Sequence, residues 1–317
     1  MKRLAKVLAA LVVVLVVVFL VVRVPDTDPD AMWAKYGTAP SQKLHLADGR
    51  TIHVRDEGPR DAPVIVLLHG SNADLHTWQP WTDRLKADYR VIRFDQRGHG
   101  LTGPAADGHY TVDAFVADVD AVADKLGLER FVLAGNSMGG GIAMAYAMEH
   151  PGRLQGLVLV DAGGADIRRE GGGNLLFTVA AIPGVNKLMA QITPRSLVEQ
   201  SLSQSVANQA IVTPEAVDRY WELARYPGNR EATLERFGTA RTPFTPQQVR
   251  AVQVPTLVMW GKEDSLIPYA AADWYMEHLP NAKLAAYPGI GHIPMEEHPD
   301  QSAADLRAFI QGLPADN

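Results

Sequence analysis

Gly135-Asn136-Ser137-Met138-Gly139 sets a serine between two glycines. The strand-like run 131–134 precedes it and a helix-like run follows. That context predicts a tight strand-to-helix bend with the Ser137 hydroxyl at its tip. Side chains in place of the glycines would clash with the neighbouring strand and helix. Amide hydrogens at the start of the helix point toward the serine and favour negative charge developing there. Such a serine needs a base. Of the ten histidines, His292 is the candidate, because Pro288-Gly289-Ile290-Gly291-His292-Ile293-Pro294 lies just past the last strand-like run. His45 and His53 fall on predicted hairpin strands, His150 ends a helix, and His278 and His298 read as solvated. An imidazole base needs a carboxylate to orient it. Asp264 follows the strand-like run 256–259 and is the expected acid. Asp161, after the run 157–160, is its rival, and Glu263 is expected to face solvent. A tetrahedral oxyanion needs two backbone donors. Met138 supplies one, and Ser71, in His69-Gly70-Ser71-Asn72, supplies the other, with Asn72 next in line. The chemistry these residues spell is acyl transfer through a serine nucleophile.

The elements that must bring them together are legible as alternating runs. Residues 43–46 and 51–55 alternate in polarity around Asp48-Gly49 and predict a hairpin. The apolar runs 64–68, 90–94, 131–134, 157–160, 256–260 and 283–287 predict strands buried on both faces. Helical spacing over 111–126, 138–149 and 301–311 separates them. This alternation predicts a mostly parallel sheet with helices on both faces, which places all three candidate side chains at one edge. Asp95-Gln96-Arg97-Gly98-His99-Gly100 reads as a structural loop, and Trp78 and Trp81 as core. Residues 163–250 break the rhythm and predict a helical lid inserted between core segments 41–162 and 251–317. Thr193-Pro194 and Thr213-Pro214 each offer a capping Thr and a Pro at the first helical position. Gly163-Gly164, Gly171-Gly172-Gly173 and Pro183-Gly184 are expected to permit a mobile entry.

The amino end has a different logic. Lys2, Arg3 and Lys6 precede an apolar run of 16 residues, Val7 to Val22, closed by Arg23. At 1.5 Å per residue it spans about 24 Å, against a hydrocarbon core of about 30 Å. Val24 and the stems of Lys6 and Arg23 are expected to make up the difference. Residues 1–24 therefore read as an uncleaved signal anchor crossing a membrane once. Residues 25–40 read as a tether. The positive start puts the amino end in the cytoplasm and the catalytic domain on the extracytoplasmic side. The alternative is secretion after signal cleavage, although Val22-Arg23-Val24-Pro25 is a poor cleavage site.

Composition narrows the function. The chain has 317 residues and a net charge of −6, which argues against nucleic acid as a partner. It has no cysteine, which excludes disulfides, thiolate zinc sites and a cysteine nucleophile. No G-x-G-x-x-G follows the first strand, and no P-loop or H-E-x-x-H motif is present, so the residues call for no cofactor and no catalytic metal.

Taken with Trp260-Gly261-Lys262-Glu263-Asp264 and Gly291-His292-Ile293-Pro294, these motifs resemble the α/β-hydrolase superfamily of the lidded type over residues 41–315. The order Ser137, Asp264, His292 is that of the family. The resemblance implies an eight-stranded α/β-hydrolase fold and Ser137, His292 and Asp264 as nucleophile, base and acid. Gly135-Asn136-Ser137-Met138-Gly139-Gly140 is similar to the nucleophile turn of hydrolases that cleave carbon–carbon bonds in ring-fission products. Those enzymes carry an aromatic residue after the catalytic histidine, where this chain has Ile293. A serine nucleophile argues against the haloalkane dehalogenase and epoxide hydrolase branches. The expected activity is hydrolysis of a small-molecule carboxylic ester, with carbon–carbon bond hydrolysis or a lipase as the alternatives.

Overall fold

The computed structural model describes residues 2–167, 184, 191–240 and 242–314. Helices α1 (Lys2–Val22) and α2 (Pro29–Tyr36) precede the sheet. Its strands are β1 (Ser41–His45), β2 (Thr51–Glu57), β3 (Val64–Leu68), β4 (Arg90–Phe94), β5 (Phe131–Asn136), β6 (Leu154–Val160), β7 (Thr256–Gly261) and β8 (Ala282–Tyr287). They lie in the order β1-β2-β4-β3-β5-β6-β7-β8. The β1–β2 hairpin is antiparallel, as is β2 to β4, and all pairs from β4 to β8 are parallel. Between strands lie α3 (Gln79–Leu85), α4 (Val112–Lys125) and α5 (Met138–Glu149). Between β6 and β7 lie α6 (Arg195–Ser205), α7 (Pro214–Ala224), α8 (Asn229–Gly238) and α9 (Pro246–Arg250). Helices α10 (Ala270–His278), α11 (Pro294–Glu297) and α12 (Pro299–Gln311) complete the chain.

The parallel strands β3 to β7 are buried on both faces because helices cover both. The run 283–287, expected to be buried in the same way, is the edge strand β8, where Tyr287 alone is buried. In β3, Val66 and Leu68 join the core that holds Phe115 and Val119 of α4. Ile65 and Leu67 join the opposite core, with Trp81 of α3 and Leu306 and Phe309 of α12. Trp78 and Trp81 are fully buried there, their rings 5.0 Å apart, as core residues. The chain reverses direction around β3, so β4 and β5 flank it. Ligand sites in such sheets lie beyond the carboxyl ends of the strands near that reversal, which is where β5 delivers Ser137.

Among the described residues, 161–255 contain no strand. Thr213 caps α7 through Ala216 N with Pro214 at the first turn, as its sequence predicts. Thr193 does not act this way, since Pro194 itself is the N-cap of α6. Gly171-Gly172-Gly173 and Pro183 lie outside the described residues.

The amino-terminal segment departs from the sequence reading in two respects. First, among the described residues no helix is long and apolar enough to cross a membrane. Two of the residues invoked to lengthen the span, Arg23 and Val24, are engaged elsewhere. Val24 N donates to Gln191 O at 2.9 Å and Arg23 Nε to Gln191 Oε1 at 3.2 Å. Second, residues 24–36 lie along α7 and α8, between β6 and β7. Thr27 N donates to Arg225 O, while Arg230 reaches Val24 O at 2.8 Å and Asp26 at 2.5 Å. Glu222 of α7 accepts from both Lys35 and Tyr36 of α2 at 2.6 Å. Met32 packs against Leu101 and Leu223 beneath this strap.

Candidate active site

Ser137 follows β5 directly and is the N-cap residue of α5, with φ 54° and ψ −116°, a conformation a non-glycine residue adopts only under constraint. The constraint is a set of backbone bonds. Ser137 N donates to Val160 O at 3.0 Å, and Ser137 O accepts from Gly141 N and Gly163 N at 3.1 and 2.8 Å. The flanking glycines are there for space. A Cβ on Gly135 would meet Gly139 O at 2.2 Å, and one on Gly139 would meet Leu68 O at 2.3 Å. Met138 opens α5, so its amide is one of the free donors of a helix N-terminus.

Across the crevice, Ser71 is half-buried, with its Oγ buried and unpartnered. The neighbouring Asn72 sits at φ 60°. His69 shapes this loop from inside. Its Nδ1 donates to Gly70 O at 2.8 Å and its Nε2 accepts from Gln96 N at 3.1 Å. Burial pushes its pKa down, so the ring is a neutral strut. Asp95 in the next loop accepts from Leu75 N and Leu101 N, both at 2.7 Å, which is the structural role its sequence suggests.

His292 is buried, and its ring nitrogen Nδ1 meets Asp264 Oδ2 at 2.6 Å. Asp264 also accepts from Leu266 N and Ile267 N at 2.7 and 3.0 Å, which fixes the carboxylate. The backbone of His292 is held from both sides. Its N donates to Ser205 O at 2.8 Å, and its O accepts from Asn136 Nδ2 at 2.9 Å. Asn136 precedes the serine, so one amide side chain ties the histidine loop to the Ser137 turn. Among the described residues Ser137 Oγ makes no hydrogen bond to the imidazole; such bonds are often long before substrate binds and tighten in the complex. Asp161 is fully buried beside this pair, with φ 44°. Glu263 is exposed, while His278, expected in solvent, is buried and stacked on Trp274 at 4.7 Å.

The Ser137 turn and the Asp264–His292 pair thus lie at the carboxyl edge of the parallel sheet, joined by the Asn136–His292 bond. A family model described as the alpha/beta hydrolase fold matches residues 63–299. The chain belongs to the α/β-hydrolase family. This α/β-hydrolase is 32% identical over 275 residues to a non-heme chloroperoxidase of Streptomyces lividans, covering 84% of this chain and 98% of the relative. It is 29% identical over 260 residues to a 2-hydroxy-6-oxononadienedioate/2-hydroxy-6-oxononatrienedioate hydrolase of Comamonas testosteroni, covering 78% and 87%. Among solved structures it is similar to a membrane phospholipase A, a bacterial virulence factor, with TM-score 0.75 and 26% identity over 98% of this chain and 99% of that one.

Three further residues tie the site of this hydrolase to its lid, and sequence reasoning missed them all. Glu297 on α11 accepts from Gly291 N at 2.8 Å and from Ala207 N and Asn208 N at 2.8 and 2.9 Å. Burial pushes its pKa up, while those amides oppose the shift. Ser265 donates to Gln204 O at 2.7 Å, stitching the acid loop to the end of α6. Arg236 of α8 is fully buried and reaches Asn72 Oδ1 at 2.6 Å and His99 Nε2 at 2.7 Å. A buried arginine on a lid helix has no local sequence signal; its partner Asn72 is 164 positions away.

Proposed function

We propose that the protein is a serine hydrolase of carboxylic esters. Ser137 is the nucleophile, His292 the general base and Asp264 the acid. His292 Nε2 removes the hydroxyl proton as Ser137 Oγ attacks the ester carbonyl, and the amides of Met138 and Ser71 stabilise the oxyanion. The imidazolium returns the proton to the departing alcohol, leaving an acyl-enzyme. Water, deprotonated by the same imidazole, then releases the acid. Asp264 keeps the Nδ1–H tautomer that leaves Nε2 free to accept. The observation that carries the reading is the 2.6 Å Asp264–His292 bond in a loop whose own carbonyl is bonded to Asn136.

Two neighbouring readings have their own supports. The Comamonas relative is by its name a hydrolase of 2-hydroxy-6-oxononadienedioate, and the turn around Ser137 is similar to that of hydrolases that cleave carbon–carbon bonds in ring-fission products. Ile293, at the position those enzymes fill with an aromatic, packs into the core with Met295, which favours the ester. The phospholipase relative favours long-chain lipid esters. A chain-length series of p-nitrophenyl esters beside a vinylogous diketone acid separates the three. Turnover of short esters without cleavage of the diketone is expected. Cleavage of the diketone alone would transfer the function to carbon–carbon hydrolysis, and a preference for long acyl chains would make the protein a lipase.

The location is part of the same proposal. Helix α1 holds the domain to a membrane from the extracytoplasmic side. Its apolar side chains stand exposed, Val13 at 61% and Leu20 at 62% for example. Expressed with its full amino end, the protein is expected to stay with membranes through a carbonate wash. Release into the soluble fraction with a terminus beyond residue 24 would overturn the anchor.

A further inference from the structure

Two carboxylates stand side by side at this site, and the mechanism above uses one. Asp161 follows β6 and Asp264 follows β7, adjacent parallel strands that end at the same edge. An oxygen of Asp161, an oxygen of Asp264 and a nitrogen of His292 lie within 4.8 Å of one another, and all three residues are buried. Asp161 Oδ1 accepts from Gly261 N at 2.9 Å, and Asp161 N donates to Met259 O at 2.9 Å. Its Oδ2 is buried with no partner among ordinary donors.

We propose that Asp161 is a second acid of this site, a positioning residue that acts through Asp264 and stands in for it beside His292 when Asp264 is lost. The inference rests on Asp264 being the acid of the ester hydrolase. Two ionised carboxylates cannot share so small a dry space, so one of them carries a proton and donates it to the other. Burial, with the Asp264 charge next to it, holds Asp161 well above the usual carboxylate range. Glu297 adds to that push. The donated bond turns Asp161 Oδ2 from an orphaned acceptor into a donor and holds the Asp264 carboxylate in the plane that meets Nδ1. With Asp264 gone, the proton leaves Asp161, and its carboxylate becomes the negative group nearest the imidazolium.

A double-mutant cycle tests this, read by kcat on a p-nitrophenyl ester and by the rate of fluorophosphonate labelling at Ser137. Asp161→Asn keeps an acceptor for Gly261 N and a donor toward Asp264, so it costs less than Asp161→Ala. The expected coupling is that Asp161→Asn costs roughly tenfold more in an Asp264→Ala background than in the parent. The double variant is expected to fall about 10⁴-fold below the parent. The losses fall on kcat while KM and the melting temperature hold, a pattern that loosened packing would not produce. Equal kcat in Asp264→Ala and in the double variant would overturn the proposal, as would additive losses. A parent that neither labels at Ser137 nor hydrolyses an ester would overturn the ester hydrolase and this inference together. Labelling of the parent without coupling would overturn the inference alone.

Discussion

The Ser137→Ala variant is expected to keep the parent's fold and to lose on the order of 10⁶ of its ester turnover. The size follows from the role. Removing Oγ removes the atom that forms the acyl-enzyme, and what is left is the oxyanion site and binding, together worth about 10³–10⁴ over water. The backbone bonds that shape the turn involve Ser137 N and O and not the side chain, so alanine leaves them in place. A fluorophosphonate should add its mass to the peptide containing Ser137 in the parent and to no peptide of the variant. The chain supplies its own control. Ser41 Oγ lies 2.8 Å from His53 Nε2, and His53 Nδ1 lies 2.6 Å from Asp95 Oδ2. That is a second serine–histidine–aspartate chain, but Ser41 opens β1 and also accepts from Arg55 at 2.8 Å. Among the described residues no helix start presents amides to it, so hydrogen bonding alone should not make it reactive. Turnover surviving in Ser137→Ala, or a label found on Ser41, would defeat the assignment.

The second large effect is on stability. In Gly139→Ala the new Cβ would lie 2.3 Å from Leu68 O and 2.7 Å from His69 O, both backbone atoms. No rotamer relieves such a contact, so α5 must move away from the end of β3. Overpacking of this kind costs about 1–3 kcal/mol. In a domain of this size that lowers the melting temperature by several degrees, at about 2–4 °C per kcal/mol. The same shift moves Met138 away from Ser71, and loss of one oxyanion donor costs about 10²–10³ in kcat. Gly152→Ala, where a Cβ meets nothing within 4 Å, is the matched control and should change neither quantity. A Gly139→Ala protein with parental melting and parental kcat would show that the close approach is unnecessary.

The sheet was legible because its strands are short apolar runs punctuated by glycine and aspartate, and a parallel strand buried on both faces must be written that way. Sequence also placed Ser137, Asp161, Asp264 and His292 at one edge, because each follows such a run. It did not show that Asp161 and Asp264 face each other, since the distance between two loops depends on strand order and register. Residues 25–40 read in sequence as a plain tether, although 24–36 form this strap. Its prolines and aspartates look like a linker, and its partners Gln191, Glu222, Arg225 and Arg230 lie far along the chain. Asp28 nonetheless caps α2 through Ala31 N at 2.8 Å with Pro29 at the first turn, a local signal for a helix that composition hid. Glu297, Arg236 and Asn136 were missed for the same reason as the strap. Each does its work through a bond to a residue distant in sequence.

The strap has a mechanical consequence. Force entering the chain at α1 meets Gln191, Arg225 and Arg230 within five residues of Val22, long before it meets a strand. A load on the amino end is therefore delivered first to the helical segment between β6 and β7 and only then to the sheet. Lengthening the chain between Val22 and Val24 would break that transmission and leave that segment free of whatever the first helix is fastened to.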